Sequence, residues 1–255
     1  MISVRTFYPV KFPQAFKAVL SGVSFSVTMP NRVGEYLGRI MYLPEGNRLK
    51  TISVTLVGSF AQLLITIVMG TAGLIILKPL LITQFPELKI WYQFILYGLV
   101  ILVAVMLLIY FNVAGTVNLF NRWIRNEKYV YLVESLRKFH RVLLIQILLL
   151  SFLRYLIFVI QYVLVFHLFE VNVAADTIAT VMSVVFLAMA VIPSIALVEV
   201  WLRGEISIKL MGLFSLNMLG IGFTSVTVWF INLILPAIAG SLLLLSLRVF
   251  KNGVD

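Results

Sequence analysis

The sequence predicts an all-α integral membrane protein, built as a polytopic bundle of helices. Of the 255 residues, 62% are hydrophobic and 12% are charged, whereas soluble domains are about half apolar and a quarter charged. The mean hydropathy of +1.07 agrees. Several stretches approach the ~20 apolar residues that cross about 30 Å of hydrocarbon. A water-soluble globule of this size would have to bury nearly every side chain, which compact domains do not do.

Longer apolar runs predict the helices that span the membrane. The loop between the first two spans is expected at residues 78–89, and a break near Gly220–Gly222 is expected late in the chain. Small and hydroxylated residues at helical spacing, from Thr55 to Gly73, favour close packing of the first span. The predicted spans are residues 51–77, 90–111 and 142–166, followed by residues 206–247 as two closely spaced helices.

Two other apolar stretches stop at prolines before they are long enough to span. The first, residues 14–29, stops at Pro30. The second, residues 178–192, follows Asp176, a favourable helix N-cap, and stops at Pro193. Stretches of this length are typical of re-entrant or broken helices rather than full spans.

The Lys and Arg residues behind the net charge of +10 occur in short segments between apolar runs. Residues 112–141 mix six such bases with aromatic side chains, which predicts an amphipathic helix at the level of the lipid headgroups. The positive-inside rule places this segment and residues 1–50 in the cytoplasm, and residues 167–202, which contain no Lys or Arg, outside. The pattern favours anionic membrane lipids as partners and argues against nucleic acid.

No pattern of residues predicts a metal site or a cofactor. The sequence has no cysteine, and its two histidines, His140 and His167, stand 27 positions apart. A nucleophile–base set and an Asp-x-x-Asp pair are also missing from the sequence, so we do not expect an enzyme. Glu35 and Glu199 as acid and base keep a lipid-modifying membrane enzyme open as an alternative.

The two halves of the chain repeat one pattern of spacing. In each half a residue suited to a helix start, Pro13 or Asp176, precedes the terminating proline by 17 positions. Each proline is followed within six positions by a Glu-x-x-x-Arg motif, whose members share one helix face. Paired broken helices in matching positions indicate a transporter's binding site. The sequence therefore predicts a single domain, 1–255, with an inverted repeat of about 12–111 and 142–247. The two motifs are Glu35–Arg39 and Glu199–Arg203.

Arg154 stands in the middle of the third predicted span, where an unpaired arginine costs on the order of 2.5–3.5 kcal/mol. Gln146, Arg154 and Gln161 fall within an arc of about 80° at 100° per residue. We expect this stripe to face the bundle interior or a water-filled groove, with Arg154 enclosed as a binding residue or in an ion pair with a glutamate. The residues expected to converge on one polar chamber near the midplane are Glu35, Arg39, Arg154, Glu199 and Arg203.

Several of these stretches resemble one family of membrane proteins. Val27–Tyr36 (VTMPNRVGEY) resembles the Thr-Pro-x-x-x-Gly-Glu signature of the lysylphosphatidylglycerol synthase transmembrane, or flippase-like, family. Ile192–Glu199 resembles its second Pro-to-Glu motif, and Leu153–Tyr155 and Asn232–Gly240 stand where that family has similar residues. The resemblance covers most of the chain. It departs in Ala196–Val198, where glycines are common, and in having fewer helices before the first motif, which implies a shortened or fragmentary member.

The resemblance implies a multi-pass protein of the bacterial cytoplasmic membrane that translocates a phospho- or glycolipid. It adds Asn31 and Arg32 to the expected substrate-binding residues, and Pro30, Gly34 and Pro193 as helix-breaking positions. Arginines would bind a lipid phosphate bidentately. The aminoacyl-transferase domain of that family does not follow in this sequence, so lipid aminoacylation is not expected. A non-transporting scaffold for lipid enzymes is a second alternative, and a homo-oligomer is left open.

Overall fold

The computed structural model describes residues 11–27, 34–41, 48–113, 115, 139–192 and 195–251, and within these ranges it is all-helical and contains no strand. Four helical segments are long and apolar enough to cross a membrane. They are Thr55–Gln84, Lys89–Phe111, Arg141–Leu168 and Met218–Leu245. The predicted all-α fold with several helices long and apolar enough to span a membrane is therefore confirmed, while the expected basic interfacial helix at 112–141 lies mostly outside the described residues.

Nine α-helices and one π-helical segment follow one another along the described chain. In order they are α1 (Phe12–Ser26), α2 (Gly34–Met41), α3 (Arg48–Gln84), α4 (Leu88–Phe111), α5 (Arg141–Leu168), α6 (Ala175–Val191), α7 (Ala196–Met211), α8 (Met218–Trp229), the π segment (Phe230–Ile234) and α9 (Leu235–Lys251). The two short apolar stretches are thus helices of 15 and 17 residues, α1 and α6. Pro30 and Pro193, at which they were expected to end, lie outside the described residues.

The first spanning helix is longer than the sequence predicts. The expected loop at 78–89 is wrong over most of its length, because α3 continues through Pro79 to Gln84 and only residues 85–87 interrupt the helices. Proline removes one backbone hydrogen bond but is tolerated in membrane helices. The carbonyl that Pro79 leaves without its helical donor is that of Ile75, one turn earlier.

Two further helix boundaries differ from the prediction. Asp176 is not the N-cap of α6: the helix begins at Ala175, and the Asp176 carboxylate lies in its first turn, accepting the Thr177 backbone N–H at 2.7 Å. A carboxylate there is still favoured by the helix dipole. The break expected at Gly220–Gly222 lies instead at residues 212–217. Asn217 caps α8 by accepting the Gly220 N–H at 2.9 Å, and this capping starts the helix before the glycines.

α3 and α6 cross closely because glycines of α3 face α6. An added Cβ at Gly70 would meet the side chain of Leu187 and, at 3.0 Å, the carbonyl oxygen of Ser183. A Cβ at Gly73 would lie 2.9 Å from the Thr180 carbonyl oxygen. Small residues let membrane helices approach in this way, and packing rather than water exclusion then holds them together. The packing expected of the small residues in this span is confirmed at these two positions.

α9 crosses α1 in the same manner. A Cβ at Gly240 would collide with the backbone of Leu20 and lie 3.1 Å from the Ser21 nitrogen. The hydroxyls of Ser24 and Ser241 share a hydrogen bond of 2.6 Å across the same interface. α1 also packs against α2, where Gly22 and Gly38 face each other backbone to backbone. We call α1, α2 and α9 together the lateral unit.

The remaining helices form a larger bundle around two clusters of buried apolar side chains. One cluster joins α3, α5, α6 and α8 near the loop that follows α5, with Phe166, Val181 and Ile221 at its centre. The other joins α3, α4 and α5 at the opposite end, where the buried Tyr110 hydroxyl donates to the Leu144 carbonyl at 2.8 Å. The lateral unit meets this bundle mainly through α2 on α3 and through the π segment.

The turn after α5 offers a test of backbone strain. Glu170 has φ 57° and closes a Schellman motif, in which Val171 N–H donates to the Phe166 carbonyl at 2.9 Å and Glu170 N–H donates to the His167 carbonyl at 3.1 Å. A non-glycine residue costs about 1–2 kcal/mol in this left-handed conformation. We therefore expect Glu170→Gly to raise the free energy of unfolding by about 1 kcal/mol, measured by thermal unfolding in detergent. Glu170→Ala, which keeps the Cβ, should bring no such gain; an equal gain would contradict the strain.

Candidate functional site

The second Glu-x-x-x-Arg motif forms the ion pair that its spacing predicts. On α7, Arg203 Nη2 pairs with Glu199 Oε1 one turn earlier, and each side chain is 12% exposed. Arg203 Nη1 also donates to the hydroxyl of Tyr162 on α5 at 3.3 Å, and Tyr162 is fully buried. Because buried charges persist only when paired and hydrogen-bonded, these three residues form one polar centre inside the bundle.

This polar centre has spare hydrogen-bonding capacity. In the part of the chain that the structure describes, Arg203 Nε and Ser207 Oγ are buried without a hydrogen-bond partner. Ser207 lies one turn beyond Arg203 on the buried face of α7 and is 0% exposed. Nearby on α5, the Tyr155 hydroxyl bonds with the hydroxyl of Ser183 on α6. The interior between α5, α6 and α7 is mainly apolar, and these few polar side chains lie within it.

Arg154 lies at the middle of α5. It is exposed on α5, with its guanidinium carbon 5.7 Å from the centroid of the Phe158 ring. It lies 13 residues after Arg141 and 14 before Leu168, about 20 Å of helix in each direction at 1.5 Å per residue. The sequence analysis expected Arg154 to be enclosed or to face a groove, and the structure leaves its side chain exposed on α5. Its depth in the middle of a span is as predicted.

The glutamines of the predicted stripe lie on the same side of α5. Gln146 is exposed, and Gln161 is half-buried, with its Oε1 accepting from Asn232 Nδ2 at 2.7 Å. Asn232 belongs to the π segment and also donates to the Val228 carbonyl at 2.9 Å. Short π segments are rare in proteins, but those that occur are frequently found at functional sites. Arg154, Gln161 and Asn232 thus form a polar edge along the membrane depth.

α8 and α9, which follow one another through the π segment, pack on different partners. Near the end of α5, α8 packs against it: the Asn217 side chain donates to the Phe169 carbonyl at 2.9 Å, and the rings of Phe169 and Phe223 stack at 5.9 Å. Beyond the π segment, α9 packs instead on α1 of the lateral unit. At the level of Arg154 the edge of α5 is exposed, and its neighbours Leu153 and Ile157 are exposed as well.

The first-half motif lies in the lateral unit. Glu35 is half-buried on α2, and Tyr36 beside it donates to the Ser59 hydroxyl of α3 at 3.2 Å. Gly34 packs on the backbone of Phe25, which gives it a packing role. α2 packs on α1 and α3, whereas α7 packs on α6 and α8. The other expected positions in this half, Asn31, Arg32, Pro30 and the side chain of Arg39, lie outside the described part of the chain.

The structure thus brings together Glu199 and Arg203 of the five expected chamber residues, and it adds Tyr162. The convergence of Glu35 and Arg154 on that pair stays a prediction. At the level of Tyr162, eight residues after Arg154, the buried pair lies about 12 Å further along α5 than the exposed arginine. Tyr162 sits in an apolar run, and only its burial beside Arg203 reveals its part in the polar centre.

Among the described residues, no group of three His, Asp or Glu side chains is placed to hold an ion. The described residues provide the guanidinium of Arg154 in the middle of a span, the amides of Gln161 and Asn232, and the buried Glu199–Arg203 ion pair. Comparisons with protein-family models, with curated proteins and with solved structures find no match to this chain.

Proposed function

We propose that this protein translocates a phospho- or glycolipid across the bacterial cytoplasmic membrane, in the manner of a flippase or scramblase. The observation that carries the proposal is Arg154, a cation exposed at the middle of a membrane span. Such a charge is costly in hydrocarbon and is retained where it binds a polar group or lies in water. At an exposed helix edge, a lipid headgroup can occupy that position while its acyl chains stay in the bilayer.

The chemistry of the polar edge suits an anionic headgroup. A guanidinium binds phosphate through two parallel hydrogen bonds and is more weakly hydrated than an ammonium, so it makes a good partner inside a membrane. The half-buried amides of Gln161 and Asn232 continue the polar edge beyond Arg154. The Glu199–Arg203 pair lies behind this edge and holds α7 against Tyr162 of α5. Contacts between the headgroup and this edge would lower the free-energy barrier to moving the lipid headgroup across the membrane midplane.

We also propose that the two halves form an inverted repeat with α1–α2 and α6–α7 as re-entrant hairpins. Packing that is reciprocal between the halves supports this: α3 packs on α6, and α9 packs on α1. The glycines at the crossings correspond as well, since Gly70 follows the first residue of α3 by 70 − 48 = 22 positions and Gly240 follows that of α8 by 240 − 218 = 22. Such repeats are common among transporters with sites at the midplane.

The proposed orientation keeps residues 112–141 in the cytoplasm and the loop after α5 outside. The hydrogen bond from Asn217 to the Phe169 carbonyl puts the turn at 212–217 on that same outer side. The segment Met218–Leu245 then crosses inward. With single cysteines in the cysteine-free chain, a membrane-impermeant maleimide added outside should label Asn172→Cys but neither Arg125→Cys nor Lys251→Cys. The reverse labelling pattern would invert the orientation.

A translocation assay tests the function. We expect purified protein in liposomes to bring a fluorescent anionic phospholipid from the inner to the outer leaflet, where dithionite quenches it. Arg154→Gln should slow this at least about tenfold, since losing a charge-assisted hydrogen bond costs about 1.5–3 kcal/mol. Arg141→Gln, on the exposed end of the same helix, is the matched control and should stay near the wild-type rate.

Two outcomes would contradict the proposal. If dithionite quenched the fluorescent lipid no faster in liposomes with folded wild-type protein than in protein-free liposomes, the translocation proposal would be rejected. The scaffold would then be favoured. An Arg154→Gln variant as fast as the Arg141→Gln control would remove Arg154 from the lipid path. Chemical change of the headgroup, followed by mass spectrometry of the extracted lipid, would favour the membrane enzyme.

A further inference from the structure

The turn between α7 and α8, residues 212–217, presents apolar side chains outward. Leu216 is 93% exposed, and Leu219, in the first turn of α8, is 75% exposed. From position 212 to position 219 every exposed residue is apolar, namely Phe214, Leu216, Met218 and Leu219. We call these four residues the turn surface. Contact between such a surface and water is unfavourable.

The two polar side chains of the same turn form hydrogen bonds within the protein. Ser215 Oγ accepts the backbone N–H of Asn217 at 3.2 Å. The Asn217 side chain accepts the Gly220 N–H at 2.9 Å and donates to the Phe169 carbonyl at 2.9 Å. Loops that face water carry polar side chains on their outer surface, and this turn has the opposite arrangement.

The backbone of the turn also suits a lipid environment, in which each N–H group needs a partner within the protein. Phe214 and Ser215 both donate to the Met211 carbonyl, at 2.9 and 3.1 Å. Carbonyls of residues 208–216 accept the backbone N–H groups of Gly212, Leu213, Phe214, Ser215 and Met218. Together with the bond from Asn217 to Ser215, these bonds satisfy most backbone donors of the turn. The turn therefore enters hydrocarbon with little loss of hydration.

The turn surface is continuous with the exposed apolar faces of two spanning segments. On α8, Leu219 is followed one turn later by Phe223, which is 57% exposed. On α5, Leu164 and Leu168 are 66% and 73% exposed. The rings of Phe169 and Phe223 stack at 5.9 Å, so the two faces adjoin at this end. Both helices belong to segments long and apolar enough to cross a membrane, whose exposed apolar faces contact lipid.

We infer that the turn surface lies in the hydrocarbon of the leaflet at the Phe169 end and contacts lipid acyl chains. Its depth follows from Lys209, in the last turn of α7, whose side chain is 69% exposed and pairs with Glu205 at 3.1 Å. A lysine keeps its ammonium group at headgroup level while its methylene stem lies against apolar groups. The turn therefore lies just below the headgroups, and α7 ends inside the membrane. This inference depends neither on translocation nor on the orientation of the chain.

The loop after α5 lies at the same end of the bundle but has a different surface. The Asn217–Phe169 hydrogen bond joins this loop to the turn, yet its exposed residues include Glu170, Asn172 and Asp176. These polar side chains need water or headgroups around them, so the loop extends beyond the turn into the aqueous phase. A position in this loop is therefore the matched control for a position in the turn.

Single cysteines in the cysteine-free chain test the depth. In proteoliposomes, a membrane-impermeant maleimide should label Leu216→Cys at least about tenfold more slowly than Asn172→Cys, because a thiol in hydrocarbon does not ionise to the reactive thiolate. Leu219→Cys should behave like Leu216→Cys and provides a second variant if one of them folds poorly. In sodium dodecyl sulfate all three should react at similar rates. Equal labelling of the three in proteoliposomes would overturn the inference.

A nitroxide on the same cysteines, attached in detergent before reconstitution, identifies what covers the turn. In electron paramagnetic resonance, oxygen, which is concentrated in hydrocarbon, should relax the label at position 216 more strongly than a water-soluble nickel chelate does. At position 172 the nickel chelate should be the stronger relaxant. Weak effects of both at position 216 would mean that protein covers the surface, as in a contact between two copies of the chain, and would overturn the inference. Wild-type liposomes without translocation would reject the proposed function and leave this inference standing.

Discussion

Glu199→Leu is expected to lower the free energy of unfolding by about 3–5 kcal/mol, the cost of stranding a buried charge. The Arg203 guanidinium would keep its bond to the Tyr162 hydroxyl but would lose its carboxylate in a position that is 12% exposed. Neither water nor lipid replaces that carboxylate at low cost. The loss should appear as a shift of the unfolding midpoint when the purified protein is titrated with sodium dodecyl sulfate in mixed micelles.

A second pair on the same helix provides the control. Glu205 and Lys209 are also four residues apart on α7, but their side chains are 44% and 69% exposed. Exposed pairs contribute about 0–1 kcal/mol, so Glu205→Leu should change the midpoint little. The double variant Glu199→Leu with Arg203→Met should recover part of the lost stability, because no charge is stranded. Equal costs for Glu199→Leu and Glu205→Leu would show that the inner pair is solvated, against its burial.

The spans were predictable because their signal is local and repeated over twenty residues. Apolar composition alone located α4 and α5 to within two residues of their ends. The boundary errors have a common cause, since they fall at residues whose effect depends on neighbours. α3 continues through Pro79, and Gly220–Gly222 does not break α8 because Asn217 caps it.

The residues of the site divide in the same way, into those whose partners are close in sequence and those whose partners are distant. The Glu199–Arg203 pair was predictable, because four residues on a helix fix which side chains can meet. Tyr162 and Asn232 were not, since their partners lie 41 and 71 positions away and only the packing of α5 against α7 and the π segment brings them together. The exposure of Arg154 depends on which helices pack beside α5, and no spacing within α5 records that.

Gly70→Leu is expected to be nearly as damaging as the loss of Glu199, at about 3 kcal/mol. The new side chain would have to occupy the space of Leu187 and of the Ser183 carbonyl oxygen, both on α6. Inserting atoms into a packed interface typically costs 1–3 kcal/mol and forces backbone shifts. Leucine is the better helix former by nearly 1 kcal/mol, which offsets only part of that cost. The expected readout is again the unfolding midpoint in mixed micelles.

Gly58 separates the two contributions, because it lies on the same helix and an added Cβ there meets nothing within 4 Å. Gly58→Leu should therefore leave stability unchanged or raise it by up to about 1 kcal/mol. Gly240→Leu should cost about as much as Gly70→Leu, since it separates α9 from α1 as the other separates α3 from α6. Matching losses at Gly70 and Gly240, with none at Gly58, would mean that both halves depend on one kind of crossing. If Gly240→Leu left the unfolding midpoint unchanged, the close α9–α1 contact would not contribute to stability. The reciprocal packing would then no longer support the inverted repeat.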